Sequence, residues 1–444
     1  MAEAVIGTAP VVESAAGQRA MRRITNRLII FLGICYFISY LDRVNVGFAA
    51  LTMNKDVGLS ATAFGAGAGL FFIGYFLFGV PSNFALARFG ARRWMATLMV
   101  CWGFASMGMS LITGPYSFAF ARLLVGLAEA GFYPGVILYL TYWVPRENRA
   151  KLVGMFSLAG PVATMTGAPV SSHLLEFMQG VQGMAGWQWM FILEAAPAVL
   201  LGIAALWILP DRPSEAKWLA ADERAWLEGR LKAEQDEARA AKRDIHVPWW
   251  QALLSVDVWV LGLLYTGATV GTYGMSLWLP TIIKSHGMST TDTGWLTSIP
   301  FGLAALGMVL WGIKSDRAGE RMWHTIACLL LAATGLTASI FASTYSSALL
   351  PVMLSLTVAT IGVYSLRGPF WALCGQWLPP ATMAAGVAAI NAIGNLGGFV
   401  GPFAIGAIKD KTGSYALTTL PLIGFGIMAV TVTLIRYRVR QRNT

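Results

Sequence analysis

Residues 28–50 read LIIFLGICYFISYLDRVNVGFAA, an apolar run long enough to cross a lipid bilayer as a single helix. Its only charged residues are the adjacent Asp42 and Arg43. Over the whole chain of 444 residues, 56% are apolar and only 12% are charged, about half the charged share of a soluble protein. This composition excludes a soluble enzyme, a disordered protein and a nucleic-acid-binding domain. We therefore expect an all-α membrane protein in contact with the lipid bilayer.

Twelve apolar runs of this kind follow one another, and we number them as spans 1 to 12. Their approximate limits are 28–50, 63–84, 94–113, 117–140, 152–175, 189–209, 256–280, 294–313, 323–343, 348–371, 383–407 and 415–436. The pattern predicts a cytoplasmic tail, a six-helix bundle, a cytoplasmic linker, a second six-helix bundle and a short tail, over residues 1–26, 27–209, 210–255, 256–436 and 437–444. We expect residues 1–20 to be disordered, the linker to be either an amphipathic helix or a plain connection, and the four cysteines to be buried packing residues.

The basic residues are distributed unevenly between the two sides of the membrane. With the N-terminus in the cytoplasm, 25 of the 32 Lys and Arg residues lie on the cytoplasmic side, four lie outside and three lie within spans. This bias is the positive-inside signal of membrane proteins, and it explains the net charge of +10 without a nucleic-acid partner. We therefore expect a multi-pass protein of the cell (inner) membrane with both termini in the cytoplasm.

The two predicted bundles repeat short sequence features at a nearly constant spacing. Gly79-Val-Pro-Ser-Asn83 ends span 2, and Gly312-Ile-Lys-Ser-Asp316 ends span 8, 233 positions later. Trp143-Val-Pro145 follows span 4, and Trp377-Leu-Pro379 follows span 10, 234 positions later. Such a duplication predicts two pseudo-symmetric halves, an architecture typical of secondary transporters.

Four charged residues lie inside spans 1 and 4, where a charge costs a few kcal/mol and therefore indicates a function. Asp42 and Arg43 are in span 1, and Arg122 and Glu129 are in span 4. Asp42 and Arg122 lie at similar depths, so we expect Arg122 to hold Asp42 and Arg43 to be free to bind an anion. Glu129, near the middle of span 4, is the predicted proton carrier, and Asp42 is the alternative carrier.

The charges of this group sum to zero while both acids are ionised. Protonation of Glu129 would leave a net positive charge that attracts a carboxylate, which is a physical basis for joint transport of a proton and an anion. The alternative is a purely structural ion network that locks spans 1 and 4. Two further charges lie within spans: Glu194 is interpreted as a helix-packing or interfacial acid, and Arg367 either binds a second substrate carboxylate or extends to the inner surface.

Several motifs resemble those of a known family. GIKSDRAGER, from Gly312 to Arg321, resembles the GxxxDRxGxR loop signature of the major facilitator superfamily, although in the first half Asn83 stands in place of the acid. Within that superfamily the sequence is similar to the anion:cation symporter family in SYLDRVNVGFAAL (39–51), EAGFYPG (129–135), PDRPSEAKWL (210–219), GPFWAL (368–373) and NAIGNLGGFVGP (391–402). The resemblance implies the twelve-helix major facilitator fold and proton-driven uptake of small organic anions, as in bacterial permeases for tartrate, phthalate and 4-hydroxyphenylacetate.

The same resemblance implies roles for individual residues. The loop signature implies a cytoplasmic gate formed by Gly312, Asp316, Arg317, Gly319 and Arg321. The substrate cavity is expected to be lined by Arg43, Tyr40, Tyr75, Phe370, Trp371, Asn391 and Asn395. The aromatic side chains in this set suit an aromatic or short dicarboxylate substrate.

We therefore predict a secondary active transporter that couples uptake of a small organic anion to protons by alternating access, as a monomer without cofactor or metal. A proton-independent facilitator or antiporter is the main alternative, and a transport-like sensor is a weaker one. We do not expect an enzyme, because the sequence has no HExxH, GxSxG, Walker lysine or CxxC motif.

Overall fold

The computed structural model describes residues 14–240, 253–345, 348–379 and 383–443, and within them every regular element is helical. Residues 1–13 and 241–252, parts of the predicted tail and linker, lie outside the described chain. Spans 1 to 6 comprise Ile30–Asp56, Ala61–Phe89, Ala91–Gly108, Pro115–Glu129 with Phe132–Thr141, Arg146–Ser157 with Ala159–Phe177, and Gly186–Ile208. Spans 7 to 12 comprise Val256–Lys284, Thr290–Ala318, Met322–Tyr345, Leu349–Ser365 with Arg367–Trp377, Met383–Asn395 with Gly397–Thr412, and Leu420–Asn443. The predicted all-α fold with two six-helix halves is confirmed.

Span 7 differs from the other spans in composition. Eleven helical segments of the described chain are long and apolar enough to cross a bilayer, and Val256–Lys284 is not among them. Its 29 residues nevertheless form one continuous and largely buried helix. Thr266, Thr272 and Ser276 donate their hydroxyls to carbonyls four residues earlier, at 2.9, 2.9 and 2.8 Å. These three hydroxyls lower the hydropathy of the span while each remains hydrogen-bonded within its own helix.

Four spans, 4, 5, 10 and 11, are broken near their middles, and a proline explains the breaks in the first three. Pro134, Pro161 and Pro369 lie in the first turn after the breaks in spans 4, 5 and 10. Because proline has no N–H, each removes the hydrogen bond to the carbonyl four residues earlier, at or next to the end of the preceding helix. Broken helices are typical of the binding sites of secondary transporters, and Glu129 and Arg367 lie directly at two of these breaks.

The two halves pack directly on each other at the end of the molecule away from the described termini, which we call the outer end. Span 2 meets span 11 so closely that a Cβ added at Gly65 would collide with the carbonyl of Pro402. Span 5 meets span 8, where a Cβ at Gly294 would collide with Ser172. At the opposite, inner end, every ion pair among the described residues stays within one half or joins a half to the linker. The space between the halves is therefore closed at its outer end.

The segment before span 1 and the linker form two helices that pack on each other at the inner end. Residues 15–20, which we expected to be disordered, belong to the helix Ala15–Ile24, because this helix packs against the linker helix Ala221–Ala240. Arg19 pairs with Asp222 at 2.6 Å. The hydrogen bond from this guanidinium lowers the pKa of Asp222 below its ordinary value. The amphipathic-helix interpretation of the linker therefore holds over residues 221–240.

The cysteines follow the prediction with one exception. Cys35, Cys328 and Cys374 are buried, whereas Cys101 is exposed on the surface of span 3. The prediction for Cys101 was wrong because an apolar run does not show which helix face turns away from the protein. All four thiols are free.

Candidate functional site

The centre of the candidate site is an ion pair between Arg43 in span 1 and Glu129 at the break of span 4. Nη2 of Arg43 contacts Oε1 of Glu129, and the two side chains are 8% and 0% exposed. The hydroxyl of Ser39 donates to the same Oε1 at 2.6 Å. The other carboxylate oxygen, Oε2, is buried and has no hydrogen-bond partner among the described residues. The pair is thus removed from bulk water, and one oxygen of the acid has no partner within the described chain.

Arg43 also connects the two halves of the protein. Its Nη1 donates a hydrogen bond of 3.2 Å to the hydroxyl of Tyr273 in span 7. Its guanidinium lies over the rings of Tyr40, Phe71 and Tyr75, with Cζ 5.6, 5.1 and 5.2 Å from the ring centroids. Such cation–π contacts stabilise a cation without neutralising it, so the group keeps its attraction for an anion. The structure therefore brings the predicted residues Arg43, Tyr40 and Tyr75 together.

The predicted ion pair between Asp42 and Arg122 was wrong. Oδ2 of Asp42 accepts a hydrogen bond of 3.2 Å from the indole of Trp102 in span 3, and none of the ion pairs in the described chain joins it to Arg122. Arg122 is 1% exposed and lies over Phe71 at 4.9 Å, and its Nε and Nη2 have no partner within the described residues. Adjacent helical residues point about 100° apart, so the rotation that turns Arg43 towards span 4 turns Asp42 towards span 3.

The four predicted charges nevertheless form one cluster. Glu129, Arg43 and Asp42 all act electrostatically on Arg122, and Glu129 also acts on Asp42. The four side chains are therefore close enough that a change in the charge of one alters the electrostatic energy of the others.

Glu194 of span 6 extends this buried polar region. Its carboxylate accepts hydrogen bonds from the amide of Asn45 at 2.9 Å and from the hydroxyl of Ser171 at 2.7 Å, and the residue is 3% exposed. Glu194 thus joins spans 1, 5 and 6 inside the first half. Of the two interpretations of the sequence, the helix-packing one matches this position and the interfacial one does not.

Two amides of span 11 face the space between the halves. Asn391 and Asn395 lie on one helix face with Gly398, where an added Cβ would lie 2.5 Å from the ring of Phe72 in span 2. Both amides are partly exposed, and neither hydrogen-bonds to another described residue. Because their helix face points to the other half, these amides are available to a molecule bound between the halves.

The aromatic pair predicted in span 10 divides into one buried and one accessible side chain. Phe370 is fully buried and stacks on Tyr265 of span 7, with centroids 5.1 Å apart and planes 8° from parallel. Trp371 is partly exposed and packs against the same tyrosine at 5.1 Å. In this conformation Phe370 supports Tyr265 rather than lining the cavity, whereas Trp371 keeps an accessible surface.

The loop signature after span 8 forms a compact turn at the inner end. Gly319 ends span 8 in the left-handed region, with φ of 65°, which favours glycine. Arg321 turns back and donates to the carboxylate of Asp316 at 2.6 Å. Arg317 is exposed, and Gly312 lies beside span 10. The turn is braced within the second half, and in the described chain its ion pair does not reach the first half.

Sequence reasoning missed two partners of the charged cluster. Tyr273 lies 233 positions after Tyr40, which is the spacing of the internal repeat, so the repeat could have identified it. Trp102, which donates to Asp42, carries no such signal, because a tryptophan in an apolar run is ordinarily a packing residue.

The sequence also matches known proteins along most of its length. Residues 32–402 match the family described as "Major Facilitator Superfamily". The chain is 46% identical over 425 residues to a protein of Agrobacterium vitis named "Putative tartrate transporter", with 96% of both chains covered. It is 42% identical over 400 residues to the "Quinolone resistance transporter" of Acinetobacter baumannii, with 89% of this chain and 90% of the relative covered.

A solved structure agrees with this assignment at the level of the fold. The crystal structure of a bacterial homologue of the human lysosomal transporter Spinster, inward-facing and occupied, superposes with a TM-score of 0.73 at 17% identity. The match covers 93% of this chain and 97% of the other. With twelve spans in two duplicated halves and the loop signature in place, this chain belongs to the major facilitator superfamily of membrane transporters.

Proposed function

We propose that this transporter takes up a small organic anion, a carboxylate, together with protons by alternating access. The observation that supports the proposal is the buried pair of Arg43 and Glu129, in which one acid oxygen has no partner in the described structure. Leaving one member of a buried pair uncompensated costs about 3–5 kcal/mol. A proton on Glu129 and an anion on Arg43 therefore favour each other.

This cost couples the two ligands. With Glu129 ionised, Arg43 is already neutralised, and a bound anion would add an uncompensated negative charge. With Glu129 protonated, Arg43 lacks a partner until an anion arrives. At about 3 kcal/mol, each of these mismatched states is suppressed by more than about a hundredfold. The populated states carry both ligands or neither, which is the requirement for symport.

We assign the proton to Glu129, with Asp42 as the alternative carrier. Arg122 is assigned as the cation that interacts electrostatically with both acids. The electrostatic contact of Arg122 with both acids supports this grouping. The anion is assigned to Arg43, and the remaining contacts to accessible or adjoining polar and aromatic groups: Tyr40, Tyr75, Trp371, Asn391 and Asn395.

We further propose that both termini face the cytoplasm and that the turn from Gly312 to Arg321 belongs to the cytoplasmic gate. The uneven distribution of Lys and Arg supports this orientation. We propose the bundle limits 27–209 and 256–436 on the basis of the same pattern. The charged cluster is contained in one chain, which supports a monomeric transporter in the inner membrane.

Uptake into proteoliposomes tests the proposal. Labelled tartrate, phthalate, benzoate and a quinolone carboxylate would each be offered with an inward proton gradient, without a gradient and with a protonophore. Symport predicts accumulation above the external concentration that the protonophore abolishes. Equilibration without accumulation would indicate a facilitator, and uptake only into vesicles loaded with anion would indicate an antiporter; either result would refute proton-coupled uptake.

A further inference from the structure

Arg367 is a cation at the midpoint of span 10 that the proposed coupling does not use. It begins the helix Arg367–Trp377, directly after the break in the span. Its guanidinium lies over the ring of Tyr364 at 5.2 Å, and it is partly exposed. No acidic side chain of the described chain pairs with it. The sequence left open whether Arg367 binds a substrate carboxylate or extends to the inner surface.

The surroundings of Arg367 place it between the two halves. It interacts electrostatically with Tyr36 and Tyr40 of span 1 and with Tyr265 of span 7. Span 1 belongs to the first half and span 7 to the second. Because the guanidinium of Arg367 interacts with tyrosines of both spans, it lies at the interface between the halves. Its contact with the ring of Tyr364 in the middle of span 10 agrees with this position.

Arg367 and Arg43 face a common set of hydroxyls. Tyr36 and Tyr273 each interact electrostatically with both arginines. The ring of Tyr40 lies under Arg43, and its buried hydroxyl also interacts electrostatically with Arg367. Two guanidinium groups from opposite halves thus flank a space that contains tyrosine hydroxyls.

We propose that the cargo is a dianion with two carboxylates, one bound by Arg43 of the first half and the other by Arg367 of the second. This inference rests on the proposed function and names its substrate class. A planar guanidinium binds a carboxylate through two parallel hydrogen bonds, and the tyrosine hydroxyls between the arginines suit polar groups in the middle of the cargo. A dianion would join the halves, whereas a monocarboxylate would leave Arg367 unpaired.

The charge balance of the membrane interior agrees with a dianion. The six charged side chains that lie well inside the spans sum to zero when all are ionised: the buried Asp42, Glu129, Glu194, Arg43 and Arg122 together with the partly exposed Arg367. A bound dianion brings this sum to minus two. Two protons restore neutrality, one on Glu129 and one on a second acid of the same cluster, so the dianion is carried with two protons.

Binding measurements on matched ligand pairs test the inference. The probes are tartrate, succinate and phthalate, each compared with its monoamide, which keeps the shape and removes one charge. The dissociation constants are measured at neutral pH by tryptophan fluorescence on purified wild type, Arg367→Gln and Arg367→Lys. We expect wild type to prefer at least one diacid over its monoamide by about tenfold or more, equivalent to about 1.4 kcal/mol. Arg367→Gln should lose this preference with its affinity for the monoamide unchanged, and Arg367→Lys, which retains the cation, should keep part of it.

Two results would overturn the inference: no diacid preferred over its monoamide by wild type, or a preference that persists in Arg367→Gln. Thermal unfolding of each variant separates a loss of binding from a loss of fold, and Arg367→Lys provides the folded comparison. The uptake assay keeps the two proposals apart. Gradient-driven accumulation of monoacids as well as diacids would refute the dianion and leave proton-coupled uptake intact, whereas accumulation of neither would refute both.

Discussion

Replacing Glu176 by Gln and Asp410 by Asn together should open the outer end of the protein. Asp410, at the end of span 11, accepts hydrogen bonds from the backbone N–H groups of Ala61 and Thr62 in the first turn of span 2, at 3.1 and 2.8 Å. Glu176, at the end of span 5, accepts from the backbone N–H and the hydroxyl of Thr291 in the first turn of span 8, at 3.2 and 2.5 Å. Each acid therefore joins its own half to a helix N-terminus of the other half.

These two contacts occupy equivalent positions in the internal repeat. Glu176 and Asp410 are 234 positions apart, the spacing that also separates other repeated features of the two halves. A carboxylate at an exposed helix N-terminus stabilises its contact by about 0.3–1 kcal/mol. Because the two contacts are separate, their effects should add, and losing both should cost the closed outer end about 0.6–2 kcal/mol. That free energy corresponds to a shift of about 3- to 30-fold towards the outward-open state.

Cysteine accessibility measures this shift. Ser172 is fully buried at the outer contact of spans 5 and 8, so Ser172→Cys in a chain with its native cysteines replaced by serine reports opening of that contact. The rate of labelling by a membrane-impermeant maleimide should rise about 3- to 30-fold in the double variant and by smaller factors in the single variants. The matched control is Glu228→Gln with Asp236→Asn, which removes two exposed acids of the linker helix and should leave the rate unchanged. An unchanged labelling rate in the Glu176 and Asp410 double variant would refute the reasoning.

Three further predictions concern the site and the inner end. Tyr273→Phe removes a hydrogen bond that orients Arg43, so the KM for the anion should rise several-fold with proton dependence retained, as measured by uptake; an unchanged KM would contradict it. Glu194→Leu leaves two buried donors without an acceptor and should cost about 1–3 kcal/mol, seen as a lower Tm in tryptophan fluorescence; an unchanged Tm would exclude this role. The lowered pKa of Asp222 means that its contact with Arg19 is fully formed above the ordinary aspartate pKa of about 3.9 and is lost only as the pH falls further. Asp222→Asn should therefore leave the pH profile of transport between neutral and mildly acidic pH unchanged. A shifted profile would contradict the prediction that the contact of Asp222 with Arg19 stays formed in this range.

The sequence predicts the fold well because each span is a long apolar segment that can be identified from its own residues alone. Length and hydropathy locate a membrane helix without knowledge of its neighbours, and the duplicated motifs add the division into halves. The exception at the N-terminus has a physical cause. Residues 15–20 are too polar to be recognised as a helix alone, and they fold because the linker helix covers them.

The candidate site was predicted in composition but not in pairing. Depth along the chain places Asp42, Arg43, Arg122 and Glu129 in one layer, and the structure finds them in one cluster. Which of two adjacent residues faces span 4 depends on helix rotation, and rotation is set by packing among several spans. The contact with Trp102 that holds Asp42 is a tertiary contact of this kind, and no spacing in the sequence indicates it.

The central claim is that Arg43 pairs with Glu129 in the empty transporter and with the anion once Glu129 is protonated. The variant Glu129→Gln tests this claim most directly. It is compared in proteoliposomes with wild type and with Glu228→Gln, the same substitution at an exposed site. The account predicts that Glu129→Gln still exchanges labelled for unlabelled carboxylate but no longer accumulates it under an inward proton gradient, while both reference proteins do so. Gradient-driven accumulation in Glu129→Gln at the wild-type level would contradict the account.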